Sequence, residues 1–198
     1  MKVFGITGGT GAGKTTTLDV LVEMNVEILD CDVIYHELIQ SSVTLKEALI
    51  HRFGNVLNEH GLDWKRLGTE VFHNPEALAE LNDITLQFVE DEVHRRMALA
   101  EKEGRPGVAI DAIGLLESDV KNECDALVAI TAPEEIRVQR IMQREGITEE
   151  YARSRVNAQK TDTYFRENCQ YILENNSTEE AFREKTHALF SKLLKMEG

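Results

Sequence analysis

The chain has 198 residues, 42% hydrophobic and 29% charged, which fits one domain, or one core with inserted lobes, and is too apolar for a disordered protein. Its formal net charge of -13 argues against nucleic acid as a partner, because such a surface repels polyphosphate; any phosphate ligand must be caught in a local basic pocket. No apolar run reaches bilayer-spanning length, and the N-terminus opens on a strand-like segment rather than a signal-peptide core, so a cytoplasmic protein without a membrane partner is expected.

Taken in order, Lys2 to Thr7 is a β-branched apolar run that predicts a strand. A glycine-rich turn follows, and Lys14 to Met24 carries Leu18, Leu21 and Val22 at helical spacing. Val26 to Leu29 predicts a second strand ending in Asp30-Cys31-Asp32, which completes a βαβ unit and implies a parallel sheet. Val43 to Phe53 is an amphipathic helix stopped before Gly54, and Asp63 caps a helix reaching Phe72. Asn74 as cap and Pro75 at the first helical position open a long helix that runs to about Glu103, where Gly104 ends it. Strands are expected in "GVAIDAI" and "ALVAITA". Pro133 then starts a charged helix closed by Gly146, and Glu149 to Lys160 forms another. "QYILEN" is a last strand, and Ser177 to Glu180 reads as a capping box for a helix to about Met196. This gives about five strands separated by helices: a three-layer α/β sandwich with helical insertions.

Gly8-Gly9-Thr10-Gly11-Ala12-Gly13-Lys14-Thr15 satisfies G-x-x-x-x-G-K-[ST] between a strand and a helix. The glycines let backbone N–H groups converge on an anion, and the following helix aims its positive end at it. Lys14 supplies a cation to the β- and γ-phosphates, and the Thr15 hydroxyl is a ligand for Mg²⁺. The motif predicts a nucleoside triphosphate with Mg²⁺.

Binding a triphosphate leaves a kinase, a GTPase-like switch and a non-catalytic ATP-binding protein in competition. A guanine-reading N-K-x-D is missing; the nearest string, Asn122 to Asp125, lacks the lysine and precedes a strand. A kinase needs a carboxylate beside the acceptor and arginines over the phosphates. Asp30 and Asp32 end the second strand and, on an extended chain, share a face, so one reaches the acceptor hydroxyl while the other supports it or the metal. Arg137, Arg140 and Arg144 form one helical stripe, which is either a lid that needs an anion between its like charges or a solvated helix with Glu134, Glu135 and Glu145 as partners, and Arg153, Arg155 and Lys160 follow. Asp111, at the end of "VAID", is a second candidate metal ligand. The histidines, His60 among them, show neither metal spacing nor a nucleophile partner, Trp64 reads as packing, and Cys31, Cys124 and Cys169 read as free thiols.

The strings "ITGGTGAGKTT", "ILDCDVIYHEL", "RFGNVL...GLDWKRLGTEVFHNPEALAELNDIT", "DAIGLLES", "APEEIRVQRIMQREGITEEYARSRVNAQ" and "YILENN" together resemble the dephospho-CoA kinase family over nearly the whole chain. The resemblance implies phosphorylation of the ribose 3′-hydroxyl of dephospho-CoA by ATP. It implies Asp32 as base with Asp30 beside the acceptor, and Lys14 and Arg140 on the phosphates. ATP is expected on Gly11, Ala12, Gly13, Lys14, Thr15, Thr16 and Arg144, with Asn175 near the adenine, and Arg155 and Gln159 form the family's R...Q pair. The implied architecture is a P-loop NTPase fold with a five-stranded parallel sheet. Its core is 1–40, 105–135 and 165–198, with a helical acceptor lobe at 41–104 and a helical lid at 136–164. The chain departs from the family pattern at Leu86-Gln87, where His-Pro is usual, and at Ile113-Gly114, where Pro-Leu is usual.

Overall fold

The computed structural model describes residues 1–54, 56–58, 61–112 and 114–196, with only the backbone described at 57, 61 and 64. The chain divides into two compact units, Met1–Leu29 with Met97–Gly198, and Asp30–Arg96.

The first unit is built on a sheet with the strand order β2-β5-β1-β6-β7. These strands are β1 (Lys2–Gly8), β2 (Glu27–Asp30), β5 (Gly107–Asp111), β6 (Ala126–Thr131) and β7 (Tyr171–Glu174). β1 pairs in parallel with β5 and with β6, and β6 in parallel with β7. The near-continuous apolar runs of β5 and β6 are what a parallel sheet covered on both faces requires. The two-residue period of β1 sorts those faces. Phe4 and Ile6 join Leu21 of α1 (Lys14–Glu23) and Phe182 and Phe190 of α9 (Glu179–Leu193) in one core. Gly5 faces the other way, against Leu115, Cys124 and Leu127, beneath two short 3₁₀ turns (Leu115–Glu117 and Asp119–Glu123).

The second unit is helical: α2 (Cys31–Ser41), α3 (Val43–Phe53), α4 (Trp64–Phe72) and α5 (Pro75–Lys102) as far as Arg96, with a small antiparallel hairpin of β3 (Leu57–Asn58) and β4 (Gly61–Leu62). Leu45, Leu49, Phe53, Leu67 and Val71 make its core, with Leu81, Ile84 and Phe88 packed against them. Asn74 caps α5 through its side-chain oxygen, which accepts from the Glu76 and Ala77 N–H groups, as expected from Asn-Pro.

Several elements differ from the sequence expectation. The segment after Asp30 is not extended: the Asp30 carboxylate accepts the Asp32 and Val33 N–H groups and starts α2. Cap formation therefore overrides the shared-face reading of the two carboxylates. The C-terminal helix is capped by Thr178, whose hydroxyl accepts the Ala181 N–H, one residue later than the capping-box reading. The helix from Glu149 ends at Asn157, and α8 (Asp162–Asn168), capped by Thr161, follows it. No helix among the described residues is long and apolar enough to cross a membrane.

Candidate active site

The loop after β1 turns tightly, with the Ala12 N–H donating to the Gly9 carbonyl, and feeds into α1. Gly13 stands at the helix N-cap with φ +114°, a conformation open to glycine. A Cβ there would lie 2.2 Å from Asn175 Nδ2, so glycine is required sterically as well. Thr15 and Thr16 occupy the first turn of α1, Thr15 exposed. Lys14 Nζ donates to Asp111 Oδ1 at 2.6 Å, and both side chains are largely shielded from water. The adjacency follows from topology. β1 and β5 are parallel neighbours, so the loop leaving β1 and the last residue of β5 meet at one edge of the sheet, where open α/β folds bind ligands.

Above this floor, α6 (Glu134–Glu145) and α7 (Glu149–Asn157) pack together through Val138, Ile141, Ala152 and Val156. A cavity of about 410 Å³ opens between the loop and these helices, lined by Gly9 to Gly11, Gly13 to Thr15, Arg140, Arg144 and Arg155. A nucleotide's phosphates would meet guanidinium groups on one wall and the loop on the other.

The arginines do not form a self-repelling stripe, because each has its own acceptor. Arg137 is 5% exposed; its Nε donates to the Thr10 carbonyl at 3.0 Å and its Nη2 to Gln159 Oε1 at 2.6 Å. Arg140 Nη2 donates to Asn175 Oδ1 at 3.0 Å, and its Nη1 lies against the Gly11 and Ala12 carbonyls. Burial pulls the pKa of both guanidinium groups down, that of Arg137 and that of Arg140. Arg144 donates to Glu145 at 2.6 Å, and Arg155 reaches the other Glu145 oxygen, so this carboxyl is held below the ordinary glutamate range by Arg144 first and Arg155 second. Arg153 lies instead in an exposed cluster with Glu134, Glu135 and Glu149, and Lys160 pairs with Glu117 at 3.1 Å. Arg137 does not line the cavity with Arg140, Arg144 and Arg155; its Nε and Nη2 reach behind the loop to Thr10 and Gln159.

Asn175 is 4% exposed, and its Nδ2 donates to the Ala12 carbonyl at 2.9 Å. Both ends of its side chain are engaged by the loop and Arg140. Asp125 sits at the start of β6 and accepts the Val3 N–H, on the opposite edge of the sheet from the loop, which disposes of a guanine-reading role. Gln159 and Thr10 are site residues whose importance no local pattern signals; Gln159 shows only in the R...Q string. In the second unit, Asp30 is the α2 cap and Asp32 is exposed in the first turn of α2. Leu86 is exposed on α5. Ile113 and His60 lie outside the described residues, as does the Trp64 side chain.

A family model described as dephospho-CoA kinase matches residues 2–180. A dephospho-CoA kinase of Dehalococcoides mccartyi is 35% identical over 178 residues, 89% of each chain. The crystal structure of a Thermus thermophilus protein superposes with a TM-score of 0.76 at 27% identity, covering 100% of this chain and 98% of that one. A dephospho-CoA kinase from Campylobacter jejuni, 22% identical, shares the fold with a TM-score of 0.62 over 97% of both chains. With the P-loop, the parallel sheet and the arginine wall in place, the match over most of its length means that this chain belongs to the dephospho-CoA kinase family.

Proposed function

We propose that the chain transfers the γ-phosphoryl group of ATP to the ribose 3′-hydroxyl of dephospho-CoA, giving CoA and ADP. The carrying observation is the arginine-walled cavity over the P-loop, with Lys14 on its floor. A triphosphate offers Lys14 several anionic oxygens in place of the single Asp111 contact. The loop N–H groups and the α1 N-terminus add fixed positive potential. In this reading Arg140 and Arg144 neutralise charge spread over the transferring group, which their position with Arg155 in the cavity lining supports.

The Thr15 hydroxyl and the Asp111 carboxylate are hard oxygen donors on the same loop and sheet edge, and no group of three or more His, Cys, Asp or Glu among the described residues is arranged to hold a metal. That set fits Mg²⁺, which takes one or two protein oxygens and fills its shell with water and phosphate. Bound there, Mg²⁺ supplies charge neutralisation on the phosphate oxygens.

The acceptor role falls to the helical lobe 41–104 with Asp30 and Asp32. Asp30 spends one oxygen on the cap, which fixes the first turn of α2 and with it Asp32. Asp32 takes the proton from the ribose hydroxyl as the new P–O bond forms. The segment 136–164 serves as the lid that shields the phosphates from water.

The test is a direct assay with ATP, Mg²⁺ and dephospho-CoA, with AMP and cytidine monophosphate as parallel acceptors. Product analysis by mass should show one added phosphoryl group on dephospho-CoA alone. ADP release that ignores dephospho-CoA, or transfer only to another nucleotide, would replace this reading.

A further inference from the structure

Thr10 is held at every polar group it has. Its N–H donates to Gln159 Oε1 at 2.8 Å, its hydroxyl accepts from Gln159 Nε2 at 2.6 Å, and its carbonyl accepts from Arg137 Nε at 3.0 Å. Gln159 Oε1 also accepts from Arg137 Nη2, so one amide and one guanidinium enclose the residue. The amide orientation follows from its neighbours: reversing it would set an NH₂ group against two donors. The packing is close. A Cβ on Gly9 would lie 2.2 Å from Arg137 Nη2, and one on Gly11 would lie 2.8 Å from the Arg137 carbonyl. Gln159 belongs to neither helix; it lies just past Ala158, the C-cap of α7, and reaches back across 149 residues to the loop.

We propose that Gln159 is a positioning residue for the nucleotide, setting the Thr10 segment of the P-loop so that the N–H groups after it converge on the phosphates, with Arg137 as its buried counterpart. The inference deepens the kinase reading and rests on it for the identity of the triphosphate. A loop held in shape before ATP arrives loses no ordering entropy when ATP binds, whereas a loosened loop does. Arg137 supports the loop from behind: its Nε and Nη2 donate to Thr10 and Gln159, and it is not part of the cavity lining over the P-loop.

The experiment measures ATP affinity by calorimetry with Mg²⁺ and no acceptor, alongside thermal midpoints. Gln159→Ala should weaken ATP binding about tenfold, the scale of one or two net hydrogen bonds. Thr10→Val removes only the hydroxyl contact and should weaken it about threefold, and the double variant should be no worse than Gln159→Ala, because the lost bonds are shared. Gln159→Glu should stay within about threefold of wild type: its carboxylate still accepts from Arg137 and the Thr10 N–H, and the hydroxyl can turn to donate. Unchanged affinity in Gln159→Ala with a lowered thermal midpoint would reduce Gln159 to a packing residue and overturn the proposal. So would losses that multiply in the double variant. Should Gln159→Ala fail to fold, wild-type affinity in Thr10→Val would refute the proposal alone. No acceptor is present, so a wrong acceptor assignment leaves this test intact.

Discussion

Replacing Asn175 by alanine separates a residue that touches the nucleotide from one that builds its loop. The side chain donates to the Ala12 carbonyl at 2.9 Å and accepts from Arg140 Nη2 at 3.0 Å, at a site only 4% exposed. A buried neutral bond contributes about 1 kcal/mol, and one to a charged group about 1.5–3 kcal/mol. Arg140 keeps its weaker contacts with Gly11 and Ala12, which discounts the second figure. The net loss should be about 2–3 kcal/mol, and at about 2–4 °C per kcal/mol for a chain of this size the thermal midpoint should fall by about 4–12 °C. The assay is thermal unfolding of the nucleotide-free protein by circular dichroism, followed by ATP titration. Asn175→Asp keeps the Arg140 partner but presents oxygen to the Ala12 carbonyl, so its midpoint should lie between wild type and Asn175→Ala. A nucleotide-free midpoint unmoved by Asn175→Ala, with ATP binding alone weakened, would refute the loop-supporting role and favour direct contact with adenine.

Asp32→Asn should lower phosphoryl transfer about a hundredfold or more while ATP affinity stays as in the wild type; wild-type turnover would end the role given to this carboxylate. Arg95 and then Arg96 hold the Glu92 carboxyl down to about 2, from an ordinary 4.5. A lowered folded-state pKa gives stability that is present above pH 4.5 and is lost as the pH falls towards 2. The urea midpoint of Glu92→Gln should therefore lie below that of wild type at pH 6, and the gap should narrow at pH 3; a constant gap would contradict the assignment. Burial pushes the Cys124 thiol up to about 12 and the Cys169 thiol up to about 11. Iodoacetamide at pH 8 should label both at least about tenfold more slowly in the native protein than in urea, read by peptide mass, and equal rates would show that the thiols are not shielded.

Elements whose causes are local were legible before any coordinates. Gly8 to Thr15 announces a phosphate loop because each position has a separate steric or electrostatic task. Asn74, Gly104 and Gly146 punctuate helices by rules that act within one turn. The misreadings have local causes too. Asp30 ends β2 as expected, but it also starts α2, so Asp32 does not continue the extended chain, and α8 hides behind a threonine cap that resembles a turn. The strands of the β3–β4 hairpin are only 2 residues each, too short to show a period. The wall of the site is another matter. Arginines 137, 140 and 144 are equivalent by spacing, and only the fold divides them into one that braces Thr10, one that bridges the loop to Asn175 and one that pairs with Glu145. Thr10 and Asn175 lie far off in sequence, where periodicity carries no information.

The same remoteness orders the protein's birth. The phosphate loop leaves the ribosome well before its braces, since Arg137 meets Thr10 across 127 residues and Asn175 meets Ala12 across 163. A nascent chain holding only the loop and its first helix has the motif without the braces, and closing contacts over such separations is slow. Competence to grip ATP is therefore acquired late, almost with the last strand, and a chain truncated before Asn175 would carry an intact signature on an unsupported turn.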